Sequence, residues 1–136
     1  MSDAPQTYRI PQTTLEQLAD QVRGNLPIRG GLRMTGQPGL QVRTVYLAPG
    51  TTSLSMAVSN LQKADAIIAG EPREWEAVPY TLDTWSSDRG KGLISIGRLV
   101  SEGPGSVACA GWIRSLVSEV RVEAMPVIDP YWSVNV

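Results

Sequence analysis

The chain predicts an α/β fold: a single domain with a mixed, mostly parallel sheet and flanking helices, in the order helix, strand, three strand-helix units and a final strand. Three observations carry this. Two short apolar runs, at 65–69 and 92–97, each give way to glycine and charged residues and then to a segment of helical spacing. Successive strand-helix units lay their strands parallel, because the crossover helix returns the chain to the same end of the sheet. The 136 residues, 42% of them hydrophobic, are about one domain long and can bury a core.

Residues 1–12 hold Pro5 and Pro11 among polar residues and are expected to form a mobile or loosely docked arm, leaving 13–136 as the domain. Leu15, Leu18, Ala19, Val22 and Leu26 recur at three- and four-residue spacing and predict a first helix. Thr13 or Thr14 caps it, Thr13 with Glu16 has the pattern of a capping box, and Pro27 ends it. Strands at 32–35 and 42–48 flank Gly36-Gln37-Pro38-Gly39 and read as an antiparallel hairpin. The loop 48–52 lacks the glycine spacing and Lys-Ser/Thr ending of a phosphate cradle, so it is expected to be a plain connection into a helix at 53–62.

After the strand at 65–69, Glu71-Pro72 opens a third helix reaching about Ser86, with Trp75, Val78 and Leu82 expected against the sheet. A polar turn at 86–91 precedes the run 92–97. A fourth helix is expected from Gly103 or Pro104, with Cys109, Trp112, Ile113, Leu116 and Val117 on one face and Cys109 buried. Val120, Val122 and Ala124 alternate with Arg121 and Glu123 and predict the last strand. Tyr131 and Trp132, in a short tail loop, are expected to be buried or in a subunit contact rather than to stack on a ligand.

Composition removes several function classes. The net charge is −1 with mixed signs and no basic stripe, which argues against a nucleic-acid partner. No apolar run approaches the roughly 18 residues of a membrane span, and no leader pattern opens the chain, so no membrane and a cytoplasmic location are expected. The single cysteine, Cys109, excludes an intrachain disulfide. With no histidine, Ser-His-Asp and Cys-His nucleophile systems cannot be built within the chain, and a transition-metal site would rest on carboxylates and Cys109 alone.

The segments AIIAGEPREWEAVPY, KGLISIGRLVSEGPG and PVIDPYW resemble the C-terminal half of the Nif-three-like dinuclear-metal-centre hexameric protein family. There a strand ends in a Gly-Glu turn before a helix, and a later strand ends in Gly-His-x-x-Ser/Thr-Glu. The likeness runs from about Thr14 to Trp132. It implies a single copy of a repeat that family members usually carry twice, and hence a homo-oligomer or a pairing with another chain. The family's metal ligands include the histidine and glutamate of the later motif. Here the histidine position is Arg98, while Glu102 and Glu71 match the acidic positions. A guanidinium has no lone pair to give a metal and keeps a permanent positive charge. The resemblance, so altered, implies that the dinuclear site is lost, with no metal and no cofactor expected.

The site expected from these residues has Glu71, Arg98 and Glu102 in catalytic roles and Glu74, Trp75, Tyr80 and Ser101 in binding. Arg98 would hold an anionic or carbonyl group of a small-molecule ligand, and Glu71 or Glu102 would move a proton, with Tyr80 or Glu74 as a second group. Burial makes a carboxylate a better base and a neighbouring guanidinium makes it a worse one, so the two effects oppose each other. Against this stands an ordinary ion pair between Arg98 and Glu102, with Glu71 merely favoured at a helix N-terminus. Three functions remain open: a metal-free enzyme or binder using the cleft, a non-catalytic assembly or regulatory domain, and a metal-dependent hydrolase-like site completed by another chain.

Overall fold

The computed structural model describes residues 6–87, 90–126 and 128–134. Its elements are β1 (Thr7–Thr14), α1 (Leu15–Asn25), β2 (Arg33–Thr35), β3 (Gln41–Thr52), α2 (Leu54–Leu61), β4 (Ala66–Pro72), α3 (Glu74–Asp83), a 3-10 turn (Thr84–Ser87), β5 (Gly92–Ser95) and α4 (Arg98–Leu116). The strands form one sheet in the order β1-β3-β4-β5-β2. The three central strands are parallel, β3 to β4 and β4 to β5, and both edge strands are antiparallel to their neighbours. This is the mixed α/β sheet that the strand-helix units predict.

The alternation of side chains along each strand divides the core into two layers. Val45, Ala66 and Ile94 face α1 and α4 together with Leu15, Leu18 and Val100. Tyr46, Ile67 and Leu93, one residue along each strand, face α2 and α3 with Ala57, Leu61 and Ala77. Ser53 caps α2 by accepting from Met56 N–H, and Thr14 caps α1 in a capping box completed by Gln17, one residue later than the Thr13–Glu16 pattern suggests.

Several boundaries differ from the sequence reading, each for a physical reason. Thr7–Thr14 is not an arm but an edge strand antiparallel to β3, with Tyr8 opposite Val45; residues 1–5 lie outside the described residues. Its proline is tolerated because an edge strand leaves one row of backbone groups unpaired. The hairpin between 32–35 and 42–48 does not form: β2 pairs with β5 and β3 with β1 and β4, at opposite sides of the sheet. The Pro-Gly turn supplies a change of direction, but the more apolar β3 gains more from a central place.

The loop expected at 48–52 is the end of β3, with a register break between Ala48 and Thr51. Pro72 lies in β4, and α3 starts two residues later with Arg73 as its N-cap. The small residues Ala77 and Thr81 form the buried face of α3, whereas Trp75 is 76% exposed and Leu82 is exposed as well. Of the polar turn at 86–91, residues 88 and 89 lie outside the described residues. α4 begins at Arg98, absorbing Gly103 and Pro104 into one 19-residue helix. Cys109 is exposed. No strand forms at 120–124 among the described residues; the fifth strand is the N-terminal one. No described helix is long and apolar enough to cross a membrane.

Candidate functional site

The parallel strands β4 and β5 end side by side, and their ladder continues past the strand ends: Ile96 N–H donates to Ala69 O at 2.9 Å and Gly97 N–H to Gly70 O at 2.8 Å. Gly97 then takes φ 91° and turns the chain directly into α4. Because Gly97 has no side chain to cap the helix, the first turn carries no side-chain cap bond, and Gly97 to Val100 line a cavity of about 530 Å³. This is where ligands gather in open α/β sheets, beyond the carboxyl ends of parallel strands and before a helix N-terminus.

Glu71 and Arg98 lie together in the wall of this cavity, with Arg33 beside them. Glu71 is exposed and enters no ion pair among the described residues. Arg98 Nε donates to Glu102 Oε2 at 3.1 Å, the two side chains being 54% and 44% exposed. The expected ion pair therefore exists, and the guanidinium also borders the cavity that holds Glu71. Arg33 is paired in the same way with Glu74. Each cavity arginine is thus tethered by a glutamate that does not itself line the cavity.

The remaining expected residues are placed elsewhere. Glu102 lies over the turn at Gly50, whose φ is 74°; a Cβ there would come within 2.8 Å of its Oε1. Ser101 acts as a latch: its Oγ accepts from Gly50 N–H at 3.0 Å and donates to Arg98 O at 2.8 Å, tying α4 to the end of β3. Glu74 reaches the site only by holding Arg33. Trp75 points into solvent. Tyr80 packs against the α2–α3 core and lines a separate cavity with Asp65 and Lys91, away from Glu71 and Arg98. Tyr80, expected as a second group beside Glu71, is therefore not brought to it: β4 runs to Pro72, and α3, which carries Tyr80, begins only at Glu74.

A further part of the lining comes from the tail, whose aromatics are exposed rather than buried as expected. Asp129, Pro130, Tyr131 and Trp132 line the cavity. Asp129 holds them: its Oδ2 accepts from Arg29 N–H and Gly30 N–H, each at 3.2 Å, and its Oδ1 from Tyr131 N–H at 3.1 Å. Burial by itself would raise the Asp129 carboxyl, but the N–H donors of Tyr131, Gly30 and Arg29 and the Arg29 charge outweigh it and hold the carboxyl below its ordinary range. The backbone approach is close, since a Cβ on Gly30 would lie 2.5 Å from Tyr131 Cβ. An acidic residue before proline and two aromatics, facing a Gly-Gly pair 100 residues earlier, was the available signal, but nothing in the sequence pairs the two segments.

The dinuclear metal centre implied by the family resemblance can be set against these donors. Among the described residues no three of His, Cys, Asp and Glu come close enough together to hold a metal ion. The cavity offers Glu71, an Asp129 whose oxygens already accept three N–H groups, and two guanidiniums. That set does not fit two metal ions, which need several unoccupied lone-pair donors.

No family model matches the chain, and no curated protein does. Solved structures do. The chain superposes on Staphylococcus aureus protein SA1388 with a TM-score of 0.71 and 21% identity, covering 94% of this chain and 41% of that one. On a Bacillus cereus protein related to NIF3 the TM-score is 0.72 at 20% identity, covering 94% and 35%. On protein ybgI it is 0.62 at 18% identity, covering 96% and 50%. The chain spans half or less of the length of these structures, and its fold is a half-size NIF3-like fold.

Proposed function

We propose that the cavity between Glu71 and Arg98 binds a small anionic or carbonyl-containing metabolite without a metal, with Glu71 placed to exchange a proton with it. The observation that carries this reading is the lining: two guanidiniums and an uncapped helix N-terminus share one cavity of about 530 Å³ with a glutamate that has no ion-pair partner among the described residues. Arg98 and the first N–H groups of α4 would take up the anionic or carbonyl oxygen, since charge-assisted donors and the helix dipole both favour negative charge there. Glu71, on the β4 side, would accept a proton from a ligand hydroxyl or acidic C–H, or return it. Glu102 holds Arg98 and is a positioning residue in this reading, as is Glu74 for Arg33.

Titration calorimetry with a panel of small carboxylates, 2-oxo acids and phosphate monoesters tests the reading. Arg98→Ala should weaken any binder by about tenfold or more, the loss of one charge-assisted bidentate contact. Binding that ignores Arg98, or no binding across the panel, overturns it. Elemental analysis of the purified protein bears on the metal-dependent alternative: stoichiometric zinc, iron or manganese would replace this proposal with a site completed by another chain.

The outer face of α4 favours a second, non-catalytic reading. Gly105, Cys109, Trp112 and Leu116 are exposed at four-three-four spacing, a seam that suits another helix. In an antiparallel copy that keeps this seam, Leu116 would fall opposite Gly105 and Trp112 opposite Cys109, large against small, so a homo-oligomer is the assembly this face supports. Light scattering decides: Trp112→Glu should convert a dimer to a monomer, and a parent that is monomeric at high concentration removes this reading.

A further inference from the structure

Tyr131 and Trp132 line the cavity while each remains 72% exposed, so their rings are not there to fill the core. Large aromatic side chains are ordinarily retained for the area they bury. Here the chain fixes their backbone and leaves the rings bare: Asp129 clamps the segment to Arg29 and Gly30, and the Gly30 backbone lies directly beneath Tyr131. Such an arrangement holds the backbone of an aromatic wall in place before a ligand arrives, so that only the rings remain to be ordered. Gly97 and Arg98 line the same cavity. A glycine lets a flat group come close to backbone, and a guanidinium plane stacks on an aromatic ring as readily as it pairs with an anion.

We infer that the ligand of this cavity is an aromatic or heteroaromatic anion, its ring against Tyr131 and Trp132 and its carboxylate or phosphate at Arg98 and the α4 N-terminus. This rests on the reading of the cavity as an anion site and narrows its ligand class. Neither half of the cavity accounts for the other: a small aliphatic acid would leave the aromatic wall unused, and an uncharged ring would leave the α4 N-terminus, which has no side-chain cap, without an acceptor.

Three probes of matched shape test it by calorimetry: 2-naphthoate, its fully saturated counterpart, and 2-naphthamide. The naphthoate should bind at least about fivefold more tightly than the saturated acid, the stacking increment of one or two aromatic contacts. Trp132→Leu and Tyr131→Leu, on the exposed tail, should bring the two acids within about twofold of each other, and circular dichroism should show the parent fold. Arg98→Ala should weaken both acids alike and leave the amide unchanged. Equal binding of the two acids, or a preference that survives both tail substitutions, overturns the ligand class and leaves the anion site standing. If 2-naphthoate fails to bind, the class is also overturned. The anion site then stands only if an aliphatic acid or phosphate monoester still binds in an Arg98-dependent way.

Discussion

Gly70→Ala tests whether the strand ends are packed as closely as the site requires. A Cβ on Gly70 would lie 2.3 Å from Ser101 Oγ, 2.6 Å from Gly50 O and 2.8 Å from Gly50 N. The first contact could be relieved by rotating a side chain. The other two are backbone, and relieving them means moving β4 away from the bulged end of β3, where Thr51 and Thr52 pair with Glu71 and Pro72. Overpacking of this kind costs about 1–3 kcal/mol, and the upper part applies because the obstructing atoms are main chain. For a domain of this size a loss of about 2–3 kcal/mol lowers the melting temperature by roughly 6–15 °C. Urea unfolding followed by circular dichroism measures it. The double variant Gly70→Ala/Ser101→Gly separates the contributions: it removes the hydroxyl clash but leaves both backbone contacts, so it should recover none of the main loss. A Gly70→Ala protein within about 0.5 kcal/mol of the parent would refute the close β3–β4 approach and the placement of Glu71 that depends on it.

Glu102→Gln should change stability by less than about 1 kcal/mol in urea unfolding, because both members of its pair with Arg98 are near half exposed and screened. Asp129→Asn should loosen the tail wall at neutral pH. In the parent, a carboxyl depressed in the folded state gives support that is complete above its unfolded value and is lost as pH falls through the folded one. The Tyr131 amide resonance, whose N–H donates to Asp129 Oδ1, should therefore be constant above about pH 5 and shift only in the acid range below about 4, and be pH-independent in Asp129→Asn.

β4 and β5 were legible because they carry near-continuous apolar runs closed by glycine, a pattern that burial on both faces enforces. The edges were not. β1 spans TYRIPQTT, a mostly exposed strand whose polar sequence reads as an arm, and β2 is three residues long. α4 was placed too late because Gly103 and Pro104 look like a start. In the structure Arg98 to Glu102 already form the first turn, where a proline six residues from the helix start interrupts one backbone bond without ending the helix. The pairing of Arg98 with Glu102 followed from four-residue spacing once that turn was helical. The approach of Asp129 to Arg29 and Gly30 had no such local rule behind it, since contacts across 100 residues are set by the whole fold.

A metal site and an arginine site place different demands on the same acids. A metal ion draws carboxylates inward, because their lone pairs are the ligands. An arginine needs them behind it, where they fix the guanidinium without occupying the space its other face presents to a ligand. Glu102 and Glu74 stand in that second relation to Arg98 and Arg33: each forms an ion pair with its arginine, and neither lines the cavity. Glu71 alone keeps an inward, unpaired place among the three glutamates expected in the site. The cavity therefore joins an anchored pair of cations to two carboxylates, Glu71 and an Asp129 whose oxygens are already taken by N–H donors. The ligand proposed above would suit that arrangement, bringing its own negative charge to the arginines and offering a proton to Glu71.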